Sequence, residues 1–233
     1  MLLARLSFAL GAQALATCLL GRGRWSRAAW RAAGAWWTVW GTLADLGSLG
    51  ALAWLARREG THLAVLGSLD RRRVGGGEVL RGLGAVLALA PAVGASALVT
   101  RVFYRGALPP QVSLPRDLLA WATTYSVLVW PAVWGFAEET TYLGYALPRL
   151  EARTGHTWPS VGAVALAWAL QHLALPFLPD RRYLAARVLS ALPVTAATTA
   201  LYVVTGRRLP AMMVAHWLAD LPTALVARAT EPT

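Results

Sequence analysis

The stretch "LLAWATTYSVLVWPAVWGFAEE", residues 118–139, decides how the chain is read. Its first 20 residues carry no charge, about the length a helix needs to cross the hydrocarbon core of a bilayer. Two adjacent carboxylates, Glu138 and Glu139, follow at once. The continuation "TTYLGYALPRL" stays largely apolar up to Leu147, so the helix is expected to run past the acids before Pro148 breaks it. On that reading the acids lie inside the helix, whereas at its end they would sit in headgroup water.

A carboxylate at the centre of a span costs about 2.5–3.5 kcal/mol on insertion scales unless it is protonated, partnered or in a wet cavity. Neighbouring carboxyls also oppose each other's ionisation, and desolvation acts in the same direction. That combination tunes a carboxyl group toward general acid–base work near neutral pH.

The rest of the chain repeats the pattern of long apolar blocks. Of its 233 residues, 57% are hydrophobic and 14% charged. The blocks fall at about 2–20, 33–55, 83–103, 118–137, 158–178, 184–204 and 209–227. Each must be helical in lipid, where a backbone amide has no water to bond. The expected fold class is therefore all-α, a polytopic transmembrane helix bundle of about seven segments. No internal repeat is visible, which argues against a transporter built from duplicated halves.

The net charge of +11 comes from 22 basic residues, every one an arginine. They cluster between the blocks, as in "GRGRW", "DRRRV" and "TGRRL", where they meet anionic headgroups; a bilayer is the expected partner and nucleic acid is not. Counted on alternate sides of the membrane the arginines come out nearly equal, so charge does not set the orientation. The arginine-only, alanine-rich composition points to a GC-rich bacterium, hence to its cell membrane. Cys18 is the one cysteine and cannot form an internal disulfide.

The first block has a small-residue "AQA" and a "LATC" like those of processed leaders, but it runs on to Leu20 and its basic cluster follows the apolar run. It is expected to remain as the first span. Trp25, Trp30, Trp36, Trp37 and Trp40 read as interfacial anchors of the second span. Between the second and third spans, "HLAVLGSL" (62–69) reads as a short interfacial helix and "GGG" (75–77) as a break.

Inside the segments the ionisable residues are Asp45, Glu138, Glu139, His172, His216 and Asp220, and every other charge is expected to reach an interface. Trp168 and His172, four apart, share a face of the fifth helix; His172 alone would suit a hydrogen-bonded packing role. His216 and Asp220 are also four apart, close enough to interact, although Asp220 could equally cap a helix restarting near Pro222. Asp45, beside the glycines of "LADLGSLG", reads as one polar residue on a packing surface, with a small permease as the alternative. Ionisable residues on three different spans constitute a site hypothesis.

"EETTYL" (Glu138, Glu139), "WALQH" (Trp168, His172) and "HWLAD" (His216, Asp220) resemble, in order and spacing, the three motifs of the CPBP family of intramembrane endopeptidases, which includes Rce1-type prenyl-protein proteases and bacterial bacteriocin-processing relatives. The resemblance covers the chain from Leu118 onward, so residues 118–233 are expected to be the CPBP-like core and 1–117 N-terminal membrane helices with Arg-rich loops. It implies that Glu138, Glu139, His172, His216 and Asp220 are catalytic. Glu138 would take a proton from a water held with His172, and His216, oriented by Asp220, would face the developing oxyanion. The implied substrate is a membrane-associated peptide or protein. No cofactor and no metal are implied; a glutamate with two histidines could hold zinc, but "HExxH" is missing.

One departure stands out. Where the family motif has arginine, one turn after Glu139, this chain has Leu143. Either Arg149 or Arg153 folds back to serve, or the protein is a degenerate scaffold or immunity factor.

Overall fold

The computed structural model of the protein describes residues 2–69 and 76–229, and these residues are overwhelmingly helical. In chain order the helices are α1 (Ala4–Leu20), α2 (Arg27–Ala35), α3 (Trp37–Arg58), α4 (Leu63–Leu66), α5 (Gly76–Tyr104), α6 (Pro110–Ser113), α7 (Ala120–Leu128), α8 (Trp130–Glu139), α9 (Leu147–Thr154), α10 (Thr157–Gln171), α11 (Arg181–Val204) and α12 (Leu209–Ala229). A wide, π-helical stretch, Thr140–Ala146, joins α8 to α9 without a break.

The seven apolar blocks correspond to α1, α3, α5, α7 with α8, α10, α11 and α12. Helices α3, α5 and α11, with 22, 29 and 24 residues, are long and apolar enough to cross a membrane. At 1.5 Å per residue they reach across the ~30 Å hydrocarbon core. Along α5, Leu80, Leu83, Leu87, Leu98 and Val102 are exposed, which is where lipid tails belong. The protein is an integral membrane protein. On the inner side of α5, Gly82 lets the helix meet α12, since a Cβ at that position would lie 2.6 Å from Val214.

Prolines and caps shape the ends. The fourth block is two helices, because the Pro131 ring has no N–H and crowds the preceding turn; α7 stops at Leu128 and α8 restarts with Pro131 in its first turn. Pro148 does not break the helix as expected. It falls in the first turn of α9, just after the π-helical stretch, whose i→i+5 spacing loosens the turn where the ring would otherwise clash. Ser26 caps α2 by accepting from the Ala29 amide at 3.0 Å, and Asp180 caps α11 by accepting from Tyr183 at 2.7 Å. Helix α12 runs through Pro222, so Asp220 lies within a helix rather than capping one.

Two readings change, and a third is met in part. Trp37 and Trp40 are interior, not interfacial: with Trp130 and Trp134 they form an aromatic cluster beside α1. Their indole N–H groups donate to the carbonyls of Gln111 and Ala33, which is how a buried tryptophan is satisfied. Trp25 alone of the five is well exposed, at 62%. The fifth block ends as helix at Gln171, and residues 175–180 form a loop strapped to α1, where Gln13 donates to the Phe177 carbonyl and accepts from its amide. Part of "HLAVLGSL" is helical, as α4; of "GGG", Gly76 and Gly77 open α5, while Gly75 and the "DRRRV" cluster lie outside the described residues.

At one end of the bundle Arg207 grips Glu151 through two hydrogen bonds of 2.7 and 2.8 Å, tying the α11–α12 turn to α9. This pairing holds the Glu151 carboxyl below its ordinary value of 4.5. A lowered folded-state pKa stabilises the fold above the unfolded value and is lost as pH falls through the folded one. Thermal unfolding of wild type against Glu151→Gln should therefore show an advantage for wild type at pH 6–7 that shrinks below about 4.5. Gly144 makes a second checkable point, because a Cβ there would collide with the backbone carbonyl of Leu66. Gly144→Ala should destabilise the protein by about 1–3 kcal/mol as α4 is pushed off the π-helical stretch, read as a lowered melting temperature in detergent.

Candidate active site

Successive residues on a helix point about 100° apart, so adjacent acids need different partners. Glu138 and Glu139 are both buried, at 1% and 0% exposure. Glu138 turns toward α1 and α10. Its Oε1 accepts from Arg5 Nη2 at 3.3 Å and from the Gln171 side-chain amide, and its Oε2 accepts from the Trp168 indole N–H at 2.5 Å. Glu139 faces α12 instead, where its Oε1 lies 3.1 Å from His216 Nδ1.

His216 is the hinge of the arrangement. Its Nε2 lies 3.4 Å from Asp220 Oδ2 and 3.8 Å from Glu138 Oε2. Carboxylate oxygens thus face both ring nitrogens, so the ring can give a proton from either side. The i, i+4 spacing on α12 supplies the Asp220 contact, and the packing of α12 on α8 supplies the rest.

His172 sits in the turn that follows α10 and is half-buried. Its Nδ1 is 3.0 Å from the Trp168 carbonyl. A carbonyl can only accept, so Nδ1 carries the hydrogen and, in the neutral ring, the Nε2 lone pair is left available. Arg187 of α11 donates to the carbonyls of His172 and Leu175 at 3.3 and 2.9 Å, fixing this turn.

Glu138, Glu139, Trp168, His172, His216 and Asp220 all line one cavity of about 990 Å³. Its far walls are apolar, with Leu89 and Val93 from α5 and Val194 from α11. The structure thus brings every residue singled out from the sequence to one place, with the exception of Asp45, which lies behind Glu138. Among the described residues, no group of three His, Cys, Asp or Glu side chains is arranged to hold a metal ion.

Several members of the cluster were not legible as site residues. Arg5 is only 3% exposed and binds Asp45 at 2.6 Å, Glu138 at 3.3 Å and Gln171 Oε1 at 2.8 Å. It overturns the expectation that every other charge reaches an interface. Asp45 is accordingly one half of a buried ion pair joining α3 to α1. Gln171 Oε1 also accepts from the Tyr142 hydroxyl at 3.0 Å, and the Tyr142 ring stacks on Trp168 at 5.1 Å and 13°. Gln171 and Tyr142 are neutral, so a search for charges in apolar blocks passes over them; their polarity inside a span was the available signal.

Leu143 is fully buried in the apolar core with Tyr142, Leu147 and Met212. Neither arginine expected to fold back does so: Arg149 is paired with Glu59 at the bundle end, and Arg153 is exposed.

Residues 120–222 match the family model described as type II CAAX prenyl endopeptidase Rce1-like. The chain carries an Rce1-like domain. The matched segment runs from α7 into α12 and holds Glu138 through Asp220, whereas Arg5 and Asp45 lie outside it. No curated protein and no solved structure matches the chain.

Proposed function

We propose that the protein is an intramembrane endopeptidase that cleaves membrane-associated peptides with water activated by Glu138. The observation that carries this reading is the convergence of the acid pair, His172 and the His216–Asp220 pair from three separate membrane segments on one cavity. A family whose members are prenyl endopeptidases supports the reaction class.

The hydrogen bonds favour one set of roles for the atoms. Oε1 of Glu138 takes two donors, Arg5 and Gln171, while Oε2 takes only the Trp168 N–H. Oε2 is therefore the oxygen with acceptor capacity left for a water proton. The Nε2 lone pair of His172 accepts a hydrogen bond from the water's other O–H, which stays intact, and so orients the molecule. The water oxygen then bonds to the peptide carbonyl carbon, and Glu138 receives the proton. His216, its ring held at Nδ1 by Glu139, turns the Nε2–H that faces Asp220 to the carbonyl oxygen as negative charge develops there. Collapse breaks the C–N bond, and Glu138 returns its proton to the leaving amine. The apolar walls from α5 and α11 would take a peptide's apolar side chains or lipid anchor, and the cavity volume is at the upper end of the range for ligand pockets.

The full-length protein in liposomes, given fluorogenic peptides anchored by a prenylated or acylated cysteine, provides the test. Glu138→Gln should lower kcat about 10²–10⁴-fold with KM little changed, and His172→Ala should also lower kcat. Equal product from wild type and both variants would refute the mechanism. Cleavage should survive exhaustive chelation; its loss, restored by zinc, would mark a metallopeptidase instead.

A further inference from the structure

The carboxylate that accepts the proton needs a fixed position and a neutralising partner, and position 143 supplies neither. Leu143 is buried in hydrocarbon packing. The guanidinium within reach of Glu138 belongs to Arg5, 133 residues earlier in the chain. We propose that Arg5 is the positioning cation of the active site, delivered from the first helix and held in place by Asp45, and that it does the work left undone at position 143.

Four observations carry the assignment. Arg5 reaches Glu138 directly at 3.3 Å and indirectly through Gln171, whose Oε1 accepts from Arg5 Nε at 2.8 Å while its amide donates to the same Glu138 oxygen. These contacts occupy Oε1 and leave Oε2 for chemistry. Second, Asp45 on α3 is fully buried and bonds Arg5 at 2.6 Å, and the guanidinium lies 5.4 Å from the centre of the Trp134 ring. The cation is thus clamped by a carboxylate and an aromatic face, a geometry that suits arginine better than lysine. Third, Arg5 is not among the residues lining the cavity, so it acts through Glu138 without touching substrate. Fourth, Arg5 and Asp45 both lie outside the family-matched residues 120–222, and Leu143, one turn after Glu139 inside them, carries no charge.

This inference rests on the endopeptidase reading and refines it. Deleting one member of a buried ion pair strands the other, so single variants risk misfolding, whereas an apolar replacement of both is often tolerated. The informative set in the same liposome assay is therefore Arg5→Lys, Arg5→Gln and the double variant Arg5→Met/Asp45→Leu, with Glu138→Gln as control. The double variant should melt close to wild type yet lose kcat by about 100-fold or more, with KM unchanged within about twofold, the signature of a misplaced catalytic group. Arg5→Gln, where it folds, should show the same split, and Arg5→Lys should recover kcat to within about tenfold of wild type. A folded double variant with wild-type kcat would overturn the proposal, as would Arg5→Lys no better than a folded Arg5→Gln. Retention of activity by Glu138→Gln would instead bring down the endopeptidase reading itself.

Discussion

Everything in this bundle depends on how three fully buried acids, Asp45, Glu138 and Glu139, and the half-buried Asp220 are tolerated in a lipid-embedded core. An ion taken out of water loses several kcal/mol of hydration even after relaxation, and the loss is offset only where partners are well placed. Here the partners are few and shared. Arg5 serves Asp45 and Glu138 together, and His216 lies among Glu139, Asp220 and Glu138. Two basic side chains therefore hold four carboxyl groups, and helices α1, α3, α8, α10 and α12 must meet at one point for the set to exist.

The neutral residues complete the solution. Tyr142 donates to Gln171, Gln171 donates to Glu138, and Trp168 donates to the other oxygen of the same carboxylate. Each of these side chains also packs: Tyr142 and Trp168 stack, and both belong to the main core cluster. The wide turn at Thr140–Ala146 is what places Tyr142 against α10 directly after the acids. Polar satisfaction and core packing are thus achieved by the same residues, which leaves the carboxylate little freedom to wander.

Much of this was legible in the sequence. The spans could be read because hydropathy at a length of about 20 residues is a strong signal, and Glu138, His172, His216 and Asp220 because a charge or a histidine in an apolar block is conspicuous. Arg5 was missed for a physical reason: an arginine near the end of a segment can usually snorkel to the interface, and nothing local says that this one turns inward to acids 40 and 133 residues away. The tryptophans misled similarly, since Trp37 and Trp40 satisfy their N–H groups on buried carbonyls instead of headgroups. The split of the fourth block at Pro131 was passed over because its hydropathy is unbroken, and the continuity through Pro148 was missed because it depends on a π-helical turn that no local pattern announces.

The groups of the buried charge network are drawn from residue 5 to residue 220, nearly the whole length of the sequence. A ribosome delivers α1 first and α12 last, so a nascent chain already threaded through most of the bilayer would still have no His216 beside its acids. The acid set is then completed only when α12 inserts, and until that moment Glu139 lies in the bilayer without its basic partner.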